Sequence, residues 1–245
     1  MVCIDGLCDP FTDECVFDLD PSICLPYDLR LNHENTGRSL TFYGDTVLAS
    51  DGVSFTFDGT SDCIQSTSSN YILGTDDFSV ELEVYPISGG RTSGEYNRLL
   101  QIGPNTTAGT LVINSYSTNN PMTVEVLFYD TTYRVLCAGG GTTLANSTWH
   151  KLRLKRVNGV FTTELNGAVI ATSGTTAYNI VANLLSLGAN TANAENFYGR
   201  IGKVRISRGA RRAAAAIPTS RLLKLPADGE TGLLNALIRD RVIPD

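Results

Sequence analysis

Two acids on one strand face are the first residues in this chain whose type and spacing suggest chemistry. Glu81 and Glu83 alternate within Phe78-Ser-Val-Glu-Leu-Glu-Val-Tyr85. Side chains two positions apart on a strand point the same way. The pair therefore approaches the ~5.5 Å carboxyl separation of a retaining glycosidase. The same alternation describes a solvated strand face, and one Trp in the whole chain is poor equipment for a sugar-stacking cleft. Histidine chemistry has little to work with. His33 and His150 are the only two, which rules out a His-rich metal site and leaves no credible triad. No Gly-X-Ser-X-Gly elbow occurs. Gly139-Gly-Gly141 lacks the Lys-Ser/Thr of a phosphate loop and reads as a flexible turn. Asn105-Thr-Thr107 and Asn146-Ser-Thr148 fit the glycosylation sequon and read as polar loops. The expectation is no catalytic residue, no cofactor and no metal ligand.

Cysteine offers a second chemistry. Six stand at positions 3, 8, 15, 24, 63 and 137, the first four spaced C-x4-C-x6-C-x8-C. Zinc sites built from tight C-x2-C pairs are absent. Two local disulfides in the N-terminal stretch and plain reduced thiols both remain open. Cys63 and Cys137 lie in strand-like runs and are expected to act as small core hydrophobes.

Charge is unevenly spread. Residues 1–35 carry eight acids and one base, a net of −7, whereas residues 198–245 carry ten bases and four acids, a net of +6. Such asymmetry marks segments that seek partners of opposite sign. The chain is acidic overall at −6, so a phosphate-binding face would work against global repulsion, and no nucleic-acid partner is expected. Arg outnumbers Lys by 15 to 4, consistent either with interface use of its planar fork or with coding bias. No stretch approaches the ~18 apolar residues of a membrane span, so no membrane insertion is expected. The acids and cysteines of residues 1–20 do not read as a signal peptide.

These groups must be positioned by strands. Residues 1–28 read as an irregular acidic arm broken by Asp9-Pro10, Asp20-Pro21 and Leu25-Pro26. From about Leu29 short β-like runs alternate with Gly, Asn, Asp and Ser. The runs are 53–57, 78–85, 111–113, 123–129, 133–136, 149–155, 160–165, 168–171, 184–187 and 200–206. Asn158-Gly159 and Asn166-Gly167 predict type I′ hairpin turns. The pattern is that of an all-β antiparallel sandwich over 29–225, with a C-terminal extension at 226–245. Within the extension, 231–242 fits either a short helix or a closing strand, and 209–216 reads as one helical turn. Phe57, Phe78, Val80, Leu82, Trp149, Leu152, Leu154, Leu165 and Ile206 are expected to be buried.

Four segments, FTFDGTSDCI at 55–64, LGTDDFSVELEVYP at 73–86, STWHKLRLKRVNGVFTTELNGAVIATS at 147–173 and SLGANTANAENFYGRIGKVRISRGAR at 186–211, occur in that order. Together they resemble the laminin G-like, or concanavalin A-like, jelly roll, in the form found in tailed-bacteriophage virion proteins. Ile217-Pro-Thr219 and Asp228-Gly-Glu-Thr-Gly-Leu-Leu234 resemble the closing elements of those phage proteins. Glycanases of this fold resemble a Glu-X-Asp-X-(X)-Glu pattern, whose middle acid and flanking Trp residues are missing around Glu81 and Glu83. Family members also resemble Gly-Ile-Asp-Glu-X-Arg-Ile at the last strand, where an Asp helps to hold calcium. Gly202 and Lys203 occupy those acid positions here, and a nearby ammonium opposes a hard cation.

The resemblance and the charge split together imply a non-enzymatic bacteriophage virion structural protein, tail-attached or capsid-decorating, displaying a lectin-like jelly roll. The alternative is a carbohydrate-binding lectin or adhesin module for host-surface glycans. Expected partners are other virion proteins, further copies of the chain (a trimer, by resemblance to phage fibres) and a host glycan; the expected location is the virion. Phe11, Phe17, Ile23 and Tyr27 in the arm, and the basic Arg205, Arg208, Arg211 and Arg212, are the candidate assembly residues. Deleting residues 2–27 is expected to leave a folded sandwich.

Overall fold

The computed structural model describes residues 3–4, 7–8, 15–19, 40–87, 95–117 and 122–209. Apart from one 3-10 turn at Ser69–Tyr71, every regular element among them is a strand. In chain order these are β1 (Cys3–Ile4), β2 (Leu7–Cys8), β3 (Cys15–Leu19), β4 (Leu40–Tyr43), β5 (Val47–Leu48), β6 (Phe55–Asp58), β7 (Cys63–Thr67), β8 (Phe78–Pro86) and β9 (Glu95–Ile102). There follow β10 (Thr110–Ser117), β11 (Met122–Tyr129), β12 (Tyr133–Leu144), β13 (His150–Val157), β14 (Val160–Leu165), β15 (Ala168–Thr175), β16 (Leu184–Leu187) and β17 (Tyr198–Arg208). Two antiparallel sheets form a β-sandwich of the jelly-roll kind. The first runs β12-β11-β10-β9-β16-β7-β4 and the second β15-β14-β13-β8-β17-β6-β5.

Alternation decides which face is core. On β8, Phe78, Val80, Leu82 and Val84 point inward, and register sets Leu152 and Val204 beside Leu82, and Leu154 and Ile206 beside Val80. Each such apolar side chain contributes about 1.5–3 kcal/mol by leaving water. Both hairpins turn as expected: Asn158 and Gly159, then Asn166 and Gly167, all have positive φ. Cys63 and Cys137 are free, buried thiols whose pKa values burial pushes up, to about 11 for Cys63.

Eight of the nine residues expected in the core are buried there. Trp149 is not, and stands 40% exposed. The reason is parity. His150, Leu152, Leu154 and Arg156 take the inward positions of β13, so the odd residues 149, 151, 153 and 155 face out. His150, opposite Val84, fills the inner slot, its Nε2 3.0 Å from the Ala145 carbonyl oxygen. A second correction concerns Gly139-Gly-Gly141. It is no turn but part of β12, at an irregularity in the pairing with β11, as glycines in strands often are.

The third correction falls on the acidic arm. Cys15–Leu19 is a strand and not irregular, and it pairs with β17 through Val204↔Leu19, Arg205↔Asp18 and Ile206↔Phe17. β6 covers the same edge of β17 only from Tyr198 to Ile201, so β3 shields backbone groups that would otherwise form an open edge. Phe17 and Leu19 are buried in the core, Phe17 edge-on to Tyr71 with ring centroids 6.0 Å apart. Removing residues 2–27 would therefore excavate the core, and a deletion meant to spare the sandwich must stop short of Cys15. Phe11, Ile23 and Tyr27, Arg211 and Arg212, and the 231–242 segment lie outside the described residues.

Across the outer face of the second sheet runs a stripe of alternating charge. Lys151 Nζ lies 3.5 Å from Glu83 Oε1, and Arg153 Nη1 lies 3.8 Å from Glu81 Oε1. The exposed Lys151–Glu83 pair contributes little, about 0–1 kcal/mol, and Arg153, largely buried, meets Glu81 only at the limit of an ion pair. Glu164 differs, because its side chain is only 6% exposed and is bonded by both Arg153 and Lys155. Burial works against its ionisation, yet the hydrogen bonds and charges of Lys155 and Arg153 outweigh that and hold it below its ordinary value of 4.5. A lowered folded-state pKa gives stability that is present above the unfolded value and lost as pH falls through the folded one. Glu164→Gln should cost about 1–2 kcal/mol at pH 7, as loss of charged hydrogen bonds does, and the difference from wild type should shrink steadily below pH 4.5. Urea denaturation at pH 7 and pH 3 checks this; an equal deficit at both would contradict it.

Candidate functional site

The outer face of the first sheet holds polar residues that water scarcely reaches. On β10, Leu111 and Ile113 face the core, so Val112, Asn114 and Tyr116 face out. Pairing carries this face across three strands in rows. Tyr96, Tyr116 and Thr123 form one, Arg98, Asn114 and Glu125 the next, and Gln101, Val112 and Leu127 the third.

Arg98 reaches this face through a bulge. From Ile102 and Leu100, strict alternation would send residue 98 into the core. Leu99 is the extra residue, since Leu100 pairs with Ile113 and Arg98 with Asn114. Both leucines are core residues, and the parity flips, as it does wherever a bulge re-aims a side chain.

The site has little freedom. Arg98 is 2% exposed and pairs through Nη2 with the Glu195 carboxylate, while its backbone N–H donates to the Glu195 carbonyl at 2.8 Å. Glu195 sits at φ 55°, an uncommon conformation for this residue. Asn190 holds the loop in place. Its Oδ1 accepts from the N–H of Ala192 and Ala194 at 2.9 and 3.0 Å, and its Nδ2 donates to Glu195 Oε2 at 3.2 Å. Gln101 Nε2 donates to Gly103 O at 2.7 Å.

What is left over on this face is a set of polar atoms without partners. Arg98 Nε and Nη1, Gln101 Oε1 and Asn114 Oδ1 are buried and have no hydrogen-bond partner. An unpaired buried polar atom costs about 1–3 kcal/mol, and native folds keep few of them. Here the Arg98 donors and the Asn114 acceptor share one row, and the Gln101 acceptor lies in the next. Beside them Tyr96 and Tyr116 lie 4.8 Å apart at 36°, Tyr96 being 39% exposed. Burial pushes the Glu125 carboxyl up. Burial also raises the Tyr96 phenol, with Glu125, Tyr116 and Glu195 adding to the shift and Arg98 opposing it. A ligand that supplies both hydroxyl donors and hydroxyl acceptors, and a ring face for the tyrosines, fits this arrangement.

Sequence reasoning missed these residues. Its own candidates lie elsewhere: Glu81 and Glu83 belong to the charged stripe. Phe17 is in the core, and Arg205 stands in β17 opposite Asp18 and Glu81. Arg208 donates to the Ile72 carbonyl at 2.8 Å and meets Asp76 at 3.4 Å. Gly202 underlies Glu83 and Trp149. Among the described residues no three or more His, Cys, Asp and Glu side chains gather as a metal site.

Residues 58–216 match the family model described as the concanavalin A-like lectin/glucanases superfamily. Among solved structures, domain 4 of AbnA, a GH43 extracellular arabinanase from Geobacillus stearothermophilus, in complex with arabinotriose, matches with TM-score 0.58 at 15% identity. That match covers 81% of this chain and 94% of the other. The binding domain of botulinum neurotoxin serotype D matches at TM-score 0.61 and 13% identity, over 83% of this chain and 50% of that one. The binding domain of botulinum neurotoxin DC in complex with SialylT gives 0.58 and 10%, over 82% and 49%. This chain thus spans about half the length of the toxin domains. No curated protein matches it in sequence.

Proposed function

This chain belongs to the concanavalin A-like lectin/glucanase superfamily, and we propose that it is a non-enzymatic, lectin-like module that binds host-surface glycans as a structural protein of a bacteriophage virion. One observation carries the glycan reading: buried Arg98, Gln101 and Asn114 leave polar atoms unpaired beside the exposed Tyr96 and the half-buried Tyr116. A sugar hydroxyl both donates and accepts, so one chain of hydroxyls satisfies that mixed set. The arabinotriose carried by domain 4 of AbnA makes a sugar a natural first probe. The virion reading rests on the phage-like closing segments and on the −7 and +6 ends, which suit docking to neighbours in a fixed register.

The full chain applied to a glycan array should bind a defined subset of glycans and should release no reducing ends from them. Binding to none would overturn the lectin reading. Turnover that disappears in Glu125→Gln would overturn the non-enzymatic one, since a carboxyl whose pKa burial raises is the kind that serves as a general acid. For the virion, antibody-gold labelling of purified particles should decorate the tail or capsid, and light scattering should give a trimer. Particles that never label would remove the virion assignment. Deleting residues 2–13, which spares β3, should keep the fold and abolish incorporation; normal incorporation would show that these residues are not the tether.

A further inference from the structure

The outer face of the second sheet carries the chain's only tryptophan. Trp149 tilts against Tyr85, ring centroids 5.4 Å apart at 52°. Arg200 lies 5.6 Å from the Tyr85 centroid and pairs with Asp51, Nη1 to Oδ2 at 3.2 Å. Val53, Glu83, Trp149, His150, Lys151 and Asn166 line a depression of about 460 Å³, within the ~300–1,000 Å³ usual for small-ligand sites.

Gly202 shapes the floor. A Cβ there would come within 3.3 Å of Glu83 Cβ and Oε2 and 3.4 Å of Trp149 Cζ3. A Cβ at Gly202 would thus touch the indole at contact distance and press on Glu83, and a larger side chain would displace both. An exposed aromatic ring rimmed by polar groups gains little from folding and much from a ligand.

We propose that this depression is a second glycan site, separate from the Arg98 face, which takes a neutral pyranose with its C–H face on Trp149. Glu83 can accept from two neighbouring hydroxyls, and Lys151 and the Asn166 amide can donate. Asn166 is held at the rim because its Oδ1 accepts from the Lys151 N–H at 2.9 Å. Charge selects neutrality. Glu83 faces Lys151 at 3.5 Å and Asp51 faces Arg200 at 3.2 Å, two acids against two bases, so a carboxylated sugar finds no net field to favour it.

Because no other tryptophan is present, emission excited to the red of the tyrosine absorption band reports on this depression alone. The full chain titrated with cellotriose, maltotriose and the N-acetylglucosamine trimer should show a saturable emission change with at least one of them. Glucuronic acid should bind no more tightly than glucose. Gly202→Val should push the indole off the sheet and weaken binding by about 10-fold or more, a loss of roughly 1.4 kcal/mol. Trp149→Ala, followed by calorimetry in case Gly202→Val misfolds, should do the same. Arg98→Met should leave the Trp149 signal intact, which separates failure here from failure of the first site. The proposal falls if no neutral sugar changes the emission, if glucuronic acid binds more tightly than glucose, if calorimetric binding in an Arg98→Met background is undiminished by Trp149→Ala, or if Arg98→Met removes the signal.

Discussion

Arg98→Met should weaken binding of an array-positive glycan that leaves the Trp149 emission unchanged by about 100-fold or more, while leaving thermal stability near that of wild type. The two halves follow from one fact. The guanidinium is 2% exposed, yet Nε and Nη1 have no acceptor within the protein. A hydrogen bond to a charged group contributes about 1.5–3 kcal/mol. Losing two therefore removes about 3 kcal/mol or more, at 1.4 kcal/mol per decade of affinity. The fold loses less, because a buried, half-satisfied charge carries its own desolvation cost, and an apolar side chain of similar volume is often neutral in its place. Glu195 keeps Asn190 as a donor and is 34% exposed at its side chain, so it is not stranded without water. Calorimetry against such a glycan and a thermal melt test both halves. Undiminished binding would remove Arg98 from the site. A melt lowered by tens of degrees would make it a structural residue.

Gly188→Ala should destabilise the sandwich by about 3–5 kcal/mol. Gly188 ends the strand β16 with φ +79°, a left-handed geometry that costs a residue with a Cβ about 1–2 kcal/mol. An ideal Cβ there would lie 2.2 Å from Cδ1 and Cε1 of Phe57, far inside contact distance. Phe57 cannot swing away freely, being fully buried and packed on Phe197 at 6.4 Å. Overpacking of this sort adds about 1–3 kcal/mol. Two backbone bonds also pass through the site, Gly188 N–H to Leu99 O at 3.2 Å and Phe197 N–H to Gly188 O at 2.7 Å. They tie it to the bulge that aims Arg98. Urea denaturation measures the loss, and a double mutant with Phe57→Leu should recover part of it, since residues in contact couple by about 0.5–3 kcal/mol. A single-mutant loss under ~1 kcal/mol would mean that Phe57 relaxes more easily than its packing implies.

Much of the sandwich was legible residue by residue. The alternation of Phe78 to Tyr85 and of His150 to Lys155 marks strands, and the two Asn-Gly pairs mark their turns. Even the exposure of Trp149 was there to be read: Leu152 and Leu154 define the inward parity of β13, and 149 has the other. Bulk and apolarity argued for burial, but a side chain cannot choose its face once its neighbours have. The strand β9 was harder to see, since Glu95-Tyr-Asn-Arg98 is polar and its alternation breaks at Leu99.

By itself, then, the sequence determined the features that depend on a few consecutive residues: strands from a period of two, and turns from glycine and asparagine at positive φ. Only the tertiary structure decided which strands meet and what they bring together. Arg98 and Glu195 join across 97 positions, and Phe17 enters the core because Cys15–Leu19 finds the edge that β6 leaves open on β17. The physical reason is that pairing between distant strands is chosen by which apolar faces they bury together. One extra residue in one strand turns every later side chain to the opposite face. Local propensity carries no record of that choice, and at Arg98 the choice makes the site.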